Sequence, residues 1–295
     1  MSLVVNNNMT AAHIAQNLNA HYTNLSSSTE HLSAGLRICS AADDAAGLAI
    51  RELQRTDIAT FQQGARNCND AISMLQVADG ALSIVDEKLI RMKELAEQAA
   101  TGTYDATQRM MIESEYQQMA SEITRIANAT DFNGIHLLNG FLSGAHNGSG
   151  VRESGRMKIH FGVGNDSAED YYYVQIGNCT ASAFGVGNQA DPRSAGFTVS
   201  TQEAAQRALV GLTEAISSKD RIRADLGALQ NRLENSITNV NIQAENLQAA
   251  ESRISDEDVS VGMTEFVRQQ ILTQSAVAMM TQANSMPQMA MKLLG

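Results

Sequence analysis

Apolar residues recur at every third or fourth position from Ile58 to Ala99. This spacing places them on one stripe of an α-helix, and at 1.5 Å of rise per residue that helix is about 60 Å long. The stripe consists of Ile58, Phe61, Ala65, Cys68, Ile72, Leu75, Ala78, Leu82, Val85, Leu89, Met92 and Leu95. It is too long to surround one compact core, so it requires other helices along its length.

Two further segments carry the same spacing and can supply those helices. One runs from Ile112 to Ile126, and the other runs from Leu209 to Ile254. Three helices with matched apolar stripes can bury one another side by side as an antiparallel bundle. The sequence therefore predicts a mainly α fold, a long coiled-coil-like helical rod formed jointly by the N- and C-terminal halves of the chain.

The stretch between Asp131 and Ser200 breaks the helical pattern. Of the 21 glycines in the chain, 12 lie from Gly134 to Gly196. Two short runs within it, at 157–161 and 171–176, are rich in β-branched and aromatic residues and are separated by turn-forming residues. We expect them to form a β-hairpin within a small central insertion.

Capping signals divide the chain further. Ser/Thr-type capping boxes at 40–43, 200–203 and 255–258 predict the starts of three helices. Gly102 and Thr103 end the first long helix, and a helix restarts near Asp105. We therefore predict a terminal coiled-coil domain at 1–44 and 255–295, a helical rod at 45–130 and 200–254, and a small β-containing region at 131–199.

The two ends of the chain lack charge. Residues 1–29 contain no Asp, Glu, Lys or Arg, and neither does Gln269–Met291. Weakly amphipathic ends of this kind are poorly held in an isolated monomer, so frayed termini are one interpretation and burial against other copies of the chain is the other. The residues predicted to mediate that assembly are Ile14, Leu18, Leu25, Ile271, Leu272 and Val277.

Charge and composition argue against several classes of function. The net charge of −11, with no basic patch, argues against nucleic-acid binding. Every apolar run is interrupted by polar residues, so no segment is predicted to span a membrane. The six histidines show no paired ligand spacing, and neither His-Glu-x-x-His nor a Walker-type Gly-Lys-Ser/Thr occurs. We expect no metal, no cofactor and no enzymatic activity.

The cysteine count of three is odd, and the three are widely spaced, which fits neither a disulfide framework nor a metal knuckle. Cys68 lies on the apolar stripe and is predicted to be a small buried apolar residue. The roles of Cys39 and Cys179 stay open. Asn147-Gly-Ser and Asn178-Cys-Thr match the acceptor pattern for N-glycosylation.

Four segments resemble the signature sequences of bacterial flagellin. They are 32–50 (LSAGLRICSAADDAAGLAI), 65–72 (ARNCNDAI), 131–134 (DFNG) and the tail 282–288 (QANSMPQ), which closes in LLG. The resemblance covers residues 1–140 and 200–295. It implies a secreted subunit that polymerises into the extracellular flagellar filament for swimming motility, with the uncharged ends paired as coiled coils in the filament core.

The same resemblance implies partners. They are further copies of the chain, a flagellar export chaperone, and the cap and junction proteins of the filament. It also implies export in an unfolded state through the flagellar type III apparatus, which agrees with the absence of Lys and Arg before Arg37, since a secretory signal needs a basic start. An innate immune receptor, Toll-like receptor 5, is a further implied partner, and by motif alignment its contacts fall at Arg91, Leu95 and Glu115.

Two alternatives stay open at this point. The hook–filament junction protein shares the rod architecture and the N-terminal signature, although the run ADDAAGLA and the tail ANSMPQ favour the filament subunit. A membrane-active secreted helical protein is the alternative from another class. The uncharged ends lack the basic face that draws amphipathic helices to anionic membranes, which argues against it.

Overall fold

A computed structural model describes residues 8–144, 155–167 and 169–294, with side chains as far as Met289. Five helices lie in these residues, α1 (Met9–Ala34), α2 (Ala45–Ala100), α3 (Ala106–Ala129), α4 (Gln202–Ser255) and α5 (Val259–Leu294). Four short strands, β1 (Asp131–Phe132), β2 (Ile135–His136), β3 (Met157–His160) and β4 (Tyr171–Val174), lie between α3 and α4. The predicted mainly α fold with a small β-containing insertion is confirmed.

The chain divides into two compact units. The first contains the described residues up to Ile58 together with those from Glu245 onward, and the second contains the described residues from Ala59 to Ala244. Helices α2 and α4 each contribute residues to both units. The three-region division predicted from the sequence stays a prediction.

The second unit is built on the antiparallel pairing of α2 with α4. Arg223 of α4 donates to Asp79 of α2 at 2.7 Å, and Lys219 donates to Asp86 at 2.6 Å. Residue numbers therefore increase along α2 where they decrease along α4, which is the antiparallel pairing that the matched stripes predict. Every residue of the predicted stripe from Leu75 to Leu95 is buried in this unit's core. Burying each large apolar side chain stabilises the fold by about 1.5–3 kcal/mol.

A buried ammonium group lies beside that core. Lys219 is 2% exposed and donates to Asp86 and to Asp220, each at 2.6 Å. Burial by itself lowers the pKa of Lys219, but the hydrogen bonds to Asp220 and Asp86 outweigh burial and raise it. The ammonium group therefore stays charged and ties α4 to α2.

The insertion packs against α3 through its backbone. The buried hydroxyl of Tyr116 donates to the Gly196 carbonyl at 2.6 Å, and the Gln117 amide donates to the Phe197 carbonyl at 2.9 Å. Burial raises the pKa of Tyr116, so its hydroxyl remains a hydrogen-bond donor. These contacts leave the 196–197 backbone satisfied although it lies in irregular structure.

The predicted β-hairpin is confirmed as the antiparallel pair β3 and β4. Its register places Ile159 opposite Tyr172 and His160 opposite Tyr171. Ile159 and Val174 are buried in the core. At its end the hairpin meets α2, where the Asn67 amide donates to the His160 carbonyl at 2.8 Å.

Gly64 makes this meeting possible. A Cβ at Gly64 would lie 2.2 Å from the carbonyl oxygen of Phe161, closer than any real side-chain carbon comes. Only glycine therefore allows the backbone of α2 to approach the backbone that follows β3.

The capping residues of three helices lie one to four residues after the predicted ones, Ser40, Ser200 and Ser255. Helix α2 begins at Ala45, where the Asp44 carboxylate accepts from the amides of Ala46 and Gly47. The 40–43 motif instead closes a turn ahead of the helix, with the Asp43 carboxylate accepting from the Ser40 amide at 2.8 Å. The acidic residue next to the motif reaches the free helix amides, so that residue becomes the cap.

The same displacement occurs at the other two motifs. Helix α4 begins at Gln202, after Thr201, whose hydroxyl accepts from the Ala204 amide at 3.2 Å. Helix α5 begins at Val259, after Asp258, whose carboxylate accepts from the Ser260 amide at 2.8 Å. The restart near Asp105 is confirmed, because Asp105 and Gln108 form a capping box at the start of α3.

Replacing Gly64 with alanine should destabilise the second unit. The added methyl group meets the Phe161 backbone, so the free energy of unfolding should fall by about 1–3 kcal/mol. Urea unfolding followed by circular dichroism measures this change. Gly80→Ala, on the same helix, is the matched control, because a Cβ at Gly80 meets no atom within 4 Å. This variant should raise the free energy of unfolding by about 0.5–1 kcal/mol. Equal stability of the two variants would contradict the packing role of Gly64.

Candidate assembly surface

Helices α1 and α5 of the first unit pack against each other in antiparallel orientation. Asn8, just before α1, contacts Ala283, and His21 contacts Gln269. At the other end of the pair, Leu36 and Asp256 form an antiparallel bridge. These three contacts show that α1 and α5 run in opposite directions along each other.

The most deeply buried side chains between α1 and α5 are small or polar. No residue of α1 is buried, and α1 is described throughout. On α5 the residues that are at least nine-tenths buried and have side chains are Gln269, Thr273 and Ala283. The pair therefore lacks the large apolar core of the second unit.

A chain of hydrogen bonds crosses this contact. The Gln269 side-chain amide donates to the Glu265 carboxylate at 2.6 Å. This bond turns the side-chain oxygen of Gln269 toward His21 Nδ1, which lies 3.2 Å away. An amide oxygen only accepts, so His21 Nδ1 carries the proton in this arrangement. Hydrogen bonds from Gln269 and Arg268 lower the pKa of Glu265 and keep it ionised. These bonds fix which residues of the two helices lie side by side.

Asn8 fixes the same alignment nearer the ends. Pro287 lies inside α5 and has no N–H to donate to the carbonyl of Ala283. The Asn8 amide donates to that carbonyl at 2.8 Å, and the Asn8 side-chain oxygen accepts from the Ala11 amide at 3.1 Å. One side chain therefore caps α1 and satisfies the carbonyl that Pro287 leaves free.

The two segments that lead into α2 and out of α4 are also tied together in the first unit. The Arg37 amide donates to the Ser255 carbonyl at 2.7 Å. Arg51 is buried and donates to the Ile38 carbonyl at 2.7 Å. Because Arg51 also pairs with Glu52 at 3.0 Å, its charge is neutralised where it is buried.

The structure separates the six predicted assembly residues into two sets. Ile14, Leu18 and Leu25 are half-buried and share the α1 face that carries His21, which is the face toward α5. Ile271, Leu272 and Val277 are 57%, 38% and 42% exposed. The first set therefore lies on the face toward α5, and the second set is exposed. The role of both sets in assembly stays a prediction.

Further apolar side chains of α5 are exposed in the same way. They are Val259, Val261, Met263, Val267, Met279, Met286 and Met289. At 100° per residue they are spread round the whole side of α5 that faces away from Gln269 and Thr273. A search for apolar residues at every third or fourth position detects a single stripe, whereas these residues are spread too widely round the helix to form one. The absence of charge from Gln269 to Met291 is the signal that marks this surface.

The residues predicted to contact the innate receptor lie on α2 and α3. Arg91 donates to Glu115 at 2.8 Å and to Glu94 at 3.0 Å, and the side chains of Arg91 and Glu115 are 48% and 43% exposed. The hydrogen bond to Glu115 raises the pKa of Arg91. Leu95 is only 1% exposed and lies in the core, because it belongs to the apolar stripe of α2. The predicted receptor surface therefore presents Arg91 and Glu115 to solvent, and Leu95 does not reach it.

All three cysteines are free thiols. Cys68 is buried as predicted, and burial raises its pKa to about 11. Cys179 is also buried, and burial raises its pKa to about 12. Cys39 is half-buried and its thiol donates to the Leu36 carbonyl at 3.3 Å. Each thiol is therefore protonated at neutral pH, which makes it a weak nucleophile.

The described part of the chain offers little for other chemistry. No group of three or more His, Cys, Asp and Glu side chains there is placed to hold a metal ion. None of its helices is both long enough and apolar enough to cross a membrane. Of the two glycosylation patterns, Asn147 lies outside the described residues, and Asn178 is exposed in an irregular segment, where its side chain accepts from the Thr180 amide at 3.1 Å.

Comparison with known proteins identifies relatives along almost the whole chain. Residues 5–142 match the bacterial flagellin N-terminal helical region, and residues 209–294 match the flagellin C-terminal helical region. The flagellar filament 33 kDa core protein of Treponema phagedenis is 40% identical over 292 residues, which cover 99% of this chain and 100% of the relative. The flagellin of Bacillus subtilis (strain 168) is 37% identical over 307 residues, covering 98% of this chain and 99% of the relative.

A solved structure supports the fold. The putative flagellar hook-associated protein from Vibrio parahaemolyticus matches 72% of this chain and 100% of its own chain, with a TM-score of 0.52. At 16% identity it shows a shared fold and nothing about function. The relatives with high identity over the full length are filament proteins, which favours the filament subunit over the hook–filament junction protein. The chain therefore belongs to the bacterial flagellin family and is a structural subunit of the flagellar filament.

Proposed function

We propose that copies of this chain polymerise by burying the outward apolar side of α5 against neighbouring copies. The observation that carries the proposal is that Ile271, Leu272 and Val277 are exposed on a helix segment without charge. Apolar surface gains about 25 cal/mol for each Å² removed from water, and an uncharged segment gives up little hydration when it is covered. Further copies of the same helix pair are the partners that fit this surface.

The contacts between α1 and α5 support this division of roles. Gln269 and Asn8 set the alignment of the two helices by hydrogen bonds, without using the large apolar side chains on the outward side of α5. Those side chains therefore remain available to neighbours. Because so few residues of the pair are deeply buried, it is the part of the chain that gains most order when neighbours cover it.

The proposal extends to export and location. We infer export in an unfolded state through the flagellar type III apparatus, followed by incorporation into the extracellular flagellum. The export chaperone, the cap and the junction proteins are the expected further partners. We expect neither enzymatic activity nor binding to nucleic acid or membranes. Family membership supports these expectations.

Placing a charge on the proposed surface should block polymerisation. Ile271→Asp puts a carboxylate where a neighbour must bury it, so the critical concentration for filament growth should rise at least tenfold. Sedimentation of seeded filaments measures this concentration. Circular dichroism should show unchanged helix content in the monomer, because the side chain is 57% exposed there. Val163→Asp, at a 43% exposed position outside α5, is the matched control. Growth of the Ile271→Asp protein at the wild-type concentration would refute the surface.

Removing the charge-free segment should separate folding from assembly. A chain that lacks residues 270–295 keeps the whole second unit, so it should remain a helical monomer that adds to no filament. Electron microscopy after seeding, beside circular dichroism, tests both statements. Long uniform filaments from the truncated chain would contradict the proposal.

A second proposal concerns recognition of the monomer by Toll-like receptor 5. The observation that favours it is the ion pair of Arg91 and Glu115, whose partly exposed side chains bring opposite charges from two helices to one place. Their mutual hydrogen bonds hold both side chains in one orientation, which lowers the entropy lost on binding. Leu95 contributes indirectly, because it packs in the core beneath the helix surface that carries Arg91.

Arg91→Ala should reduce receptor signalling by the purified monomer about tenfold, because it removes one charge of the pair and releases the other. A cell line that reports receptor activation measures the loss. Arg125→Ala is the control, since Arg125 is also an exposed arginine but lies on α3 and pairs with Glu122 of its own helix. Signalling by Arg91→Ala at the wild-type level would exclude this surface.

A further inference from the structure

The methionines of this chain fall into two classes. The chain has 14 methionines, and six of them lie in α5. In the core of the second unit, Met74 and Met92 are 1% and 0% exposed. On α5, by contrast, Met279, Met286 and Met289 are 60%, 45% and 49% exposed. Four of the seven exposed methionines in the described part of the chain, Met263 included, thus lie on the helix that carries the proposed assembly surface.

We propose that Met279, Met286 and Met289 are a redox-modification site, at which hydrogen peroxide converts unassembled subunits into a form that cannot join the filament. These three methionines lie within roughly 80° of arc on α5, so they face one direction. Met279 and Met286 continue a line from Leu272 at seven-residue spacing. The inference rests on the proposed function, in which this direction is covered by neighbouring copies.

The reaction is a transfer of one oxygen atom. The thioether sulfur attacks one oxygen of hydrogen peroxide, the O–O bond breaks, and the second oxygen leaves as water. The sulfur is oxidised by two electrons to the sulfoxide, and the peroxide is reduced. The step requires an accessible sulfur atom, so exposure decides which methionines react. Met74 and Met92 are shielded, whereas the three α5 residues are open in the single chain.

The modification acts on assembly and leaves the subunit folded. The contact between α1 and α5 is made by Gln269, Thr273 and Ala283, so sulfoxides on the other side of α5 leave that contact unchanged. A sulfoxide is polar and accepts hydrogen bonds, whereas the thioether is apolar and flexible. A neighbour that covers α5 must then strip water from these oxygens. Each such burial should weaken subunit addition on the order of tenfold.

Assembly should in turn protect the site. Once neighbours cover α5, the sulfur atoms are as inaccessible as those of Met74 and Met92. Peroxide therefore acts on subunits before they are added and spares those already in the filament. Because methionine sulfoxide reductases return the sulfoxide to the thioether, the block is reversible.

The first measurement is the oxidation rate of each methionine by peptide mass spectrometry. Monomer and preformed filament are treated with the same hydrogen peroxide. Met279, Met286 and Met289 should react at least tenfold more slowly in the filament, while Met74 and Met92 react slowly in both. Equal rates for the three α5 residues in both samples would overturn the proposed assembly surface, and this inference with it.

The second measurement tests the effect on growth. Peroxide treatment of wild-type monomer should raise the critical concentration at least tenfold, and methionine sulfoxide reductases A and B should restore it. The reductases take their electrons from a thiol reductant, which also reduces oxidised Cys39, so a sample given the reductant without the enzymes is the control. Restoration only with the enzymes assigns the effect to methionine sulfoxide. Each sample is compared with its own untreated portion.

Leucine variants identify the residues responsible. M279L/M286L/M289L should show less than a twofold change on peroxide treatment, because leucine keeps the volume and helix propensity and has no sulfur. M110L/M111L is the control, since those α3 methionines are 58% and 69% exposed, and it should remain as sensitive as the wild type. If the filament protects the α5 methionines but the triple variant loses as much growth as wild type, the assembly surface stands and the redox site is refuted.

Discussion

The whole structure depends on the burial of apolar stripes that no single helix can bury by itself. Helix α2 is 56 residues long, and its apolar stripe stabilises the fold only where another part of the chain covers it. In the second unit α3, α4 and the insertion cover the stripe almost completely, so Leu82, Leu89 and Met92 are fully buried. Gly64, Tyr116 and Lys219 are consequences of that close packing, because each solves a steric or polar problem that it creates.

The first unit meets the same requirement only in part. Helices α1 and α5 satisfy their alignment with hydrogen bonds, through Gln269 and His21 at one level and Asn8 and Ala283 at another. A polar contact of this kind specifies register at a cost in stability. Large apolar residues such as Ile271 then remain without partners inside the chain. The incomplete core of this unit and its exposed surface are therefore one feature.

The sequence predicts most of the fold because long-range periodicity decides it. The stripe from Leu75 to Leu95 and the strand-like run at 171–176 each depend on many residues, so one exception changes little. Helix starts depend on single side chains, and Asp44 therefore displaces the start expected from Ser40. The approach of Gly64 to Phe161 is a contact between residues far apart in sequence, which no local pattern encodes. Met279 and Met286 are missing from the predicted assembly residues because apolar side chains are spread over a wide sector of α5, so spacing alone does not single them out.

The scattered placement of the exposed residues has a consequence for assembly by the proposed route. A half-exposed apolar side chain gains about 1 kcal/mol when it is covered completely, so ten of them yield on the order of 10 kcal/mol. Association costs roughly 4–15 kcal/mol before any contact is counted. Because these side chains lie round a wide sector of α5, one neighbour covers only a few of them and two free subunits bind weakly. Several neighbours together cover them all, so a subunit is held firmly only at a filament end where those neighbours already stand.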